Sequence, residues 1–237
     1  MGTVVKQKIK RAMLRYAPSV ASRVLFHQRF DKTRLLRLLP SDPVILDIGA
    51  CDGTDSIELR MLFPRATIHC FEPEPSNFQK LLTRTQGLRI ACHPLALGAV
   101  PGRARFFVSS GLPCASSSSL REPTGHIEAH PSIRFDRTID VQVARLSDWV
   151  QACGVERVDF LWMDAQGSEL DILRNAGEVL RAVRVIHIEV SLIEFYRGAP
   201  LYHEVRDFLL DEGFVVLEDL LGNEDMGDVV FIRKDDL

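Results

Sequence analysis

Val44-Ile45-Leu46-Asp47-Ile48-Gly49-Ala50-Cys51-Asp52-Gly53, followed by Phe71-Glu72-Pro73, decides the fold of this chain. The apolar run Val44–Ile48 reads as a buried strand, and it leads directly into a glycine-bearing turn. A helix-compatible stretch follows from Thr54 to Leu62, and a second strand, Thr67–Phe71, ends in the carboxylate of Glu72. This is the order of the first βαβ unit of a nucleotide-binding α/β sheet. There, glycines let the backbone approach the ligand and a strand-end acid takes two ribose hydroxyls. The turn lacks GxGxxG spacing, and its strand already ends on Asp47. Both features point to a ligand with a ribose and no phosphate.

Further along, the alternation continues. A strand is expected over Leu88–Cys92 and a helix over about 75–85, opened by Pro75 with Ser76 and Asn77 nearby. Short β-like runs, Arg103–Ser109 and Ile139–Ala144, bracket a long polar stretch from Ser110 to Arg137. So long a loop in a compact domain is usually functional, and it reads as a substrate-side insertion. Helices near 146–153, Ser168–Asn175 and 201–212 then alternate with strands Val158–Met163 and Val183–Val190. The chain finishes with Phe214–Leu217, a Gly222-Asn223 turn and Val229–Ile232, two strands with no helix between them, hence an antiparallel hairpin. The expected architecture is a Rossmann-like α/β fold: a seven-stranded, mostly parallel sheet with a C-terminal antiparallel hairpin and helices on both faces. Its domain would span 41–237, with the insertion at about 110–137.

Residues 1–40 differ in character. Before residue 40 stand Lys6, Lys8, Lys10, Arg11, Arg15, Arg23, Arg29, Lys32, Arg34 and Arg37 against the single acid Asp31. Ile9, Met13 and Leu14, then Val20, Val24 and Leu25, recur at helical spacing, so this is a basic amphipathic helical arm. It suits docking to an anionic membrane surface, or packing on the sheet over the substrate cleft. Elsewhere the 237 residues are ordinary for a globular enzyme, 46% hydrophobic and 26% charged, with net charge −3. That balance argues against general nucleic-acid binding. No apolar run reaches the roughly 18 residues of a spanning helix, and the cytosol is the expected location. Cys51, Cys70, Cys92, Cys114 and Cys153 form no CxxC pair, and they read as small fillers in a reducing compartment.

The candidate site residues fall at strand ends. Asp47, Gly49, Ala50, Cys51, Gly53, Glu72, Pro73, Ala96 and Asp164 belong to the cofactor side, with Glu72 accepting both ribose hydroxyls. The strand Val158–Met163 delivers Asp164 at its carboxyl end, where ligands bind in open α/β sheets. The next strand places His187 and Glu189 on one face by its period of two. If those strands are neighbours, Asp164 and Glu189 converge, and two facing carboxylates can share a proton, hold a divalent cation such as Mg²⁺, or bind substrate hydroxyls. His126 and His130 stand at i, i+4 but between Pro123, Gly125 and Pro131, which disfavour the helix a shared metal would need. With Ser118 and Ser119 they are candidate substrate contacts.

With these residues assembled, the chain resembles the FkbM-type family of S-adenosylmethionine-dependent methyltransferases. The resemblance rests on Val44–Ala50, on Phe71-Glu72-Pro73-Glu74-Pro75 with Phe78 and Leu81, and on the serine run ending Ser118-Ser119-Leu120. It continues through Asp159-Phe160-Leu161, Asp164-Ala165-Gln166-Gly167-Ser168-Glu169 and Ile188-Glu189-Val190, covering about 43–233. It implies S-adenosyl-L-methionine as cofactor and O-methylation of a hydroxyl on a polyketide, sugar, glycolipid or other small molecule. Two departures stand out. Cys51-Asp52-Gly53 replaces the family's usual Asn-hydrophobic-Gly, and Leu146-Ser147-Asp148 replaces Leu-Asp-Asp, where Ser147 is expected to serve as the helix cap. The competing readings are an NAD-type dinucleotide oxidoreductase, which the missing GxGxxG and the terminal hairpin disfavour, and a non-catalytic S-adenosylmethionine-binding module. Asp164 is the first choice of general base, ahead of His187 and Glu189; a Mg²⁺ bridging Asp164 and Glu189 is the alternative.

Overall fold

The computed structural model describes residues 30–111, 116–222 and 224–237. The basic arm as far as residue 29, Cys114 and Asn223 of the expected turn lie outside the described residues.

Val44–Ile48 forms β1 at the centre of the main sheet, between parallel β2 (Thr67–Phe71) and β7 (Phe160–Met163). Both faces of β1 are covered, so its side chains divide by alternation between two cores. Ile45 packs on one side with Leu59, Cys70, Leu81 and Phe160. Leu46 and Ile48 pack on the other with Phe71, Leu161, Met163, Leu170 and Leu209. Helices α2 (Thr54–Leu62) and α3 (Pro75–Thr85) supply Leu59 and Leu81 to the first core. A short α1 (Leu35–Leu38) adds Leu35 to it.

The seven strands run in the order β3-β2-β1-β7-β8-β10-β9. Here β3 is Ile90–His93, β8 Val185–Ser191, β9 Phe214–Asp219 and β10 Met226–Arg233. β10 inserts antiparallel between β8 and β9, which is the expected C-terminal hairpin and the one reversal in an otherwise parallel sheet. The second face carries α5 (Leu146–Cys153), α6 (Glu169–Arg174), α7 (Val179–Ala182) and α8 (Tyr202–Asp211) through Trp149, Leu173, Leu180 and Val205. No helix among the described residues is long and apolar enough to cross a membrane.

The region 95–145 is more ordered than the sequence suggests. The β-like runs lengthen into β5 (Gly102–Gly111) and β6 (Ile133–Ala144), which pair antiparallel, while β4 (Ala96–Leu97) joins β6 to complete a three-stranded sheet. Phe106, Val108, Val141 and Val143 give it a small core of its own. The polar residues that masked these strands, among them Arg134, Asp136 and Thr138, sit on its exposed positions, and a register shift falls between Val108 and Ser110. Among the described residues between β5 and β6, the one helix is the five-residue α4 (Gly125–Ala129). Arg137 of β6 ties this sheet to the main one through Glu74 (2.8 Å).

Pro75 opens α3 as expected, and Glu74 caps it by accepting the Asn77 N–H at 2.8 Å, while the expected cap of α5 changes. Ser147 lies inside α5, whose N-cap position is Arg145, and its hydroxyl faces Asp148 instead of the helix end.

Candidate active site

Three loops meet over the carboxyl ends of β1, β2 and β7. After β1, Gly49 turns with φ +88°, and a Cβ there would stand 1.9 Å from the Asp164 carbonyl oxygen. Only glycine lets the first turn pass this close to the end of β7. The N–H groups of Gly49 and Ala50 both donate to the Phe71 carbonyl (3.0 Å each), locking the turn to β2. Cys51 then adopts φ +49°, a left-handed conformation that disfavours a side chain. That backbone requirement explains why glycine suits this place and what the cysteine costs.

The Cys51 N–H donates to Glu72 Oε2 at 3.0 Å, and the Glu74 N–H to Glu72 Oε1 at 2.7 Å. Each carboxylate oxygen of Glu72 is thereby fixed and still has a lone pair for a ribose hydroxyl. Burial raises the Glu72 pKa to about 8, against the pull of those two N–H groups.

A cleft opens between these loops and the second sheet, with apolar walls from Ile48, Phe71, Leu97 and Phe106 and a few polar groups among them, the make-up of a small-molecule site. Of the residues expected to bind cofactor, Gly49, Cys51, Glu72, Pro73, Ala96 and Asp164 line it, and so does Ser118 from the expected substrate set. Asn77, Phe106, Leu120 and Ser168 line it as well and were not anticipated. Phe106 lies within the expected run Arg103–Ser109 and Leu120 ends the quoted serine run, but neither carries a polar group that would mark it as a site residue. The cleft can hold a ribose at Glu72 and exclude water around whatever reaches Asp164.

Three expected cofactor residues stand behind this wall. Asp47 is buried under the turn, where Ser56 donates to it at 2.5 Å and Cys70 lies beside the same hydroxyl at 2.8 Å. The Ala50 side chain belongs to the core of Leu59 and Leu81. Gly53, at φ +79°, opens α2 and packs on Leu81.

At the far end of the cleft the segment Asp164–Glu169 is held by its own side chains. Glu169 caps the turn, accepting the N–H groups of Ala165 (2.7 Å) and Gly167 (2.9 Å). β7 and β8 are neighbours, as the convergence of Asp164 and Glu189 requires. The amide of Gln166 stands between those two carboxylates, with Nε2 2.5 Å from Asp164 Oδ1 and 2.6 Å from Glu189 Oε2. Burial raises the Asp164 pKa to about 6 and drives that of Glu189 well up, with Asp164's own charge the next contributor for Glu189. Near neutrality the pair therefore tends to share a proton, with Glu189 the more basic of the two. Glu189 faces away from the cleft, into a smaller space lined also by Glu169, Ser191 and Tyr196.

The remaining candidates are placed elsewhere. His187 shares the parity of Glu189 but lies deeper, its ring stacked on Trp162 (3.6 Å between centroids) beside Phe30, and burial lowers its pKa to about 3. It is a neutral core ring with no path to the cleft. His126 falls on α4 and His130 is its C-cap, but His126 is buried against Phe135 and Tyr196, with burial lowering its pKa to about 4. Ser119 is buried as well; its hydroxyl donates to the Gln166 carbonyl at 2.7 Å. No group of three or more His, Cys, Asp or Glu among the described residues is arranged to hold a metal ion.

Comparison with known proteins shows the family and the fold. The family model described as "Methyltransferase FkbM domain" matches residues 47–216. The chain is 36% identical over 173 residues to the 2-O-methyltransferase NoeI of Sinorhizobium fredii, covering 71% of each protein. It is 22% identical over 191 residues to the hexuronic acid methyltransferase AglP of Haloferax volcanii, covering 77% of this chain and 73% of that one. Its fold is similar to the crystal structure of methyltransferase FkbM from Methylobacillus flagellatus, with a TM-score of 0.52 at 16% identity. That match covers 81% of this chain and 44% of the larger protein.

Proposed function

The chain belongs to the FkbM methyltransferase family and is an enzyme of methyl transfer; from that premise we propose that it methylates a hydroxyl of a sugar or related small molecule, with S-adenosyl-L-methionine as donor and Asp164 as general base. The observation that carries this reading is the cleft itself, which has Glu72 on one wall, Asp164 on another and Gly49 between their strands. The acceptor class is supported by the 2-O- and hexuronic acid methyltransferases among the relatives.

S-adenosylmethionine, when bound, supplies an electrophilic methyl group and leaves as a neutral thioether. The chain's own residues do the rest. Glu72 binds the ribose hydroxyls with oxygens already oriented by two backbone N–H groups. Gly49 brings the first turn against β7 without a side chain in the way. Asp164 accepts the hydroxyl proton as the new C–O bond forms, because a neutral alcohol is a poor nucleophile. Proximity and orientation supply much of the rate. Ser118 lines the cleft and is a candidate acceptor contact.

A Mg²⁺ between Asp164 and Glu189 does not fit these residues. The Gln166 amide nitrogen occupies the bridging position and presents N–H groups where a cation needs lone pairs. Activity unchanged by EDTA is the expected result. The basic arm, with ten Lys/Arg before residue 40, supports docking to an anionic surface; liposome sedimentation unaltered by removing residues 1–29 would overturn that part.

The decisive experiment is transfer of a radiolabelled methyl group to a panel of sugars and polyhydroxylated small molecules, with titration of S-adenosylhomocysteine against NADH alongside. Label in an ether product and tight S-adenosylhomocysteine binding are expected. Transfer to none of the panel, or preference for NADH, would end the reading.

A further inference from the structure

The motif Asp164–Glu169 accounts for its first residue as a base and its last as a turn cap, and leaves Gln166 without a part. Yet Gln166 is the most constrained side chain of the site. Its backbone is held at φ +51°, a conformation that costs a non-glycine residue about 1–2 kcal/mol. Its carbonyl accepts the buried Ser119 hydroxyl at 2.7 Å. Its side-chain nitrogen reaches Asp164 at 2.5 Å and Glu189 at 2.6 Å, using both N–H groups. Its side-chain oxygen receives the Tyr196 hydroxyl at 2.5 Å, and the Tyr196 oxygen also lies 2.9 Å from the Ser117 carbonyl. The amide cannot be turned over, because its carbonyl oxygen would then face two carboxylates.

We propose that Gln166, held by Tyr196 and Ser119, is the positioning residue of the methyl-transfer site. Its amide gives one N–H to each carboxylate, keeps Asp164 on the cleft side and Glu189 behind it, and makes Asp164 the member of the pair that receives the acceptor's proton. The proposal rests on the reading of Asp164 as general base. It adds that the order of the segments 116–120 and 194–199 governs that base through a single amide.

The surroundings explain why such a device is needed. Asp164 and Glu189 face Asp55 from α2, Glu169 from α6 and Asp228 from β10, all acids, while Lys32 pairs with Asp55 and Glu58 and not with either of the two. Each neighbouring acid resists ionisation of the pair. The Gln166 N–H groups act in the opposite direction and favour the charged form of Asp164. Losing them leaves the carboxylates to compete for one proton through their own contact alone.

The test uses the full chain and needs no acceptor for its first readout. The sulfonium of S-adenosylmethionine is attracted by an ionised Asp164 and the thioether of S-adenosylhomocysteine is not. Calorimetric affinities for both compounds, from about pH 5 to about pH 9, therefore report the ionisation of the pair. In Gln166→Leu the midpoint at which S-adenosylmethionine gains its advantage should move up by about one pH unit, the worth of one charge-assisted hydrogen bond. S-adenosylhomocysteine affinity at high pH should stay within about threefold. With an acceptor from the panel, kcat should fall about 10- to 100-fold with the donor KM unchanged, and the acid limb of the kcat profile should move with the binding midpoint. Tyr196→Phe removes one oxygen and should give a smaller shift in the same direction; it decides the matter if Gln166→Leu fails to fold. An unmoved midpoint in a folded variant, or equal loss of both affinities, would overturn the positioning role. Absence of methyl transfer with a midpoint that still moves would instead overturn the functional reading and leave the role of Gln166 intact.

Discussion

The two ends of the cleft are built by different means. The donor end consists of backbone: the Gly49 turn, the Cys51 and Glu74 N–H groups and the single carboxylate they orient, all within one βαβ unit. The acceptor end consists of side chains from distant segments: Asp164 and Gln166 after β7, Glu189 on β8, Tyr196 beyond it and Ser119 from the inserted loop. A backbone-built site is stiff and tolerant of most side-chain changes, but it fails wholly when a glycine is lost. A side-chain-built site fails by degrees. Each half can therefore be broken separately, and the size of the effect should tell which kind of construction was disturbed.

The largest effect should come from Gly49→Ala, because Gly49 belongs to both halves. Its Cβ would lie 1.9 Å from the Asp164 carbonyl oxygen, at a φ of +88°. Backbone cannot yield as a side-chain end can, so the two loops must part. A loss of about 3 kcal/mol of stability is expected, with donor binding and turnover both abolished; chemical denaturation and S-adenosylhomocysteine titration measure the two. Near-normal binding in this variant would mean that the approach of β1 and β7 is not what shapes the cleft.

Next in size, Asp164→Asn should separate the halves cleanly. It removes the proposed base and leaves the Glu72 end untouched, so kcat should fall about 10²- to 10⁴-fold while S-adenosylhomocysteine affinity holds. In the wild type, the acid limb of kcat should rise through about pH 6, where Asp164 ionises. Activity lost as the pH falls through that value, and not as it rises, is the sign that the charged form works.

The same contrast governs what the sequence revealed. The donor half was legible because its parts are near neighbours in the chain: Gly49 and Glu72 end consecutive strands, and strand alternation alone puts both at the ligand edge. Asp164 was legible for the same reason. Gln166, one turn further on, stood in the quoted motif with no role, since its function depends on Tyr196 and Ser119, and no local pattern announces partners so distant. His187 was misplaced because period-two alternation assigns a face and not a depth along the strand. Ring stacking with Trp162 then buries it. His126 was misplaced because the breakers around it hid a short helix whose core it fills. The seven-stranded sheet and its terminal hairpin were readable throughout; of the second sheet only the runs Arg103–Ser109 and Ile139–Ala144 were, surface-facing polar residues having masked the first half of β6.

Glu72→Gln should have a smaller effect than either change above, confined to the donor end. An amide in place of the carboxylate must turn its N–H₂ toward one of the N–H groups of Cys51 and Glu74, each of which now donates to Glu72. One orienting contact and one charge-assisted ribose contact are lost together, about 1.5–3 kcal/mol. Donor affinity should drop about 10- to 100-fold, with kcat at saturating donor nearly unchanged. A fall in kcat at saturation would show that the two halves are coupled through more than the Gly49 turn.

Asp47 supplies the smallest effect and the finest test of where the donor half ends. It sits under the turn, in contact with Ser56, and burial first, then the Asp55 charge, raise its pKa to about 7 while the Ser56 hydrogen bond opposes them. An acid whose native pKa is raised binds its proton more tightly folded than unfolded. Its contribution to stability is therefore complete below the unfolded value near pH 4 and declines as the pH rises toward about 7. Asp47→Asn keeps the shape and a partner for Ser56 but removes that ionisation. The variant should lose part of the stability decline between about pH 4 and about pH 7, at most a few kcal/mol by denaturant unfolding. Its S-adenosylhomocysteine affinity should stay within about threefold of wild type, since the cleft wall in front of it is Gly49 and not Asp47. If affinity instead falls as far as in Glu72→Gln, the carboxylate reaches the ligand after all, and the donor half extends one layer deeper than the turn.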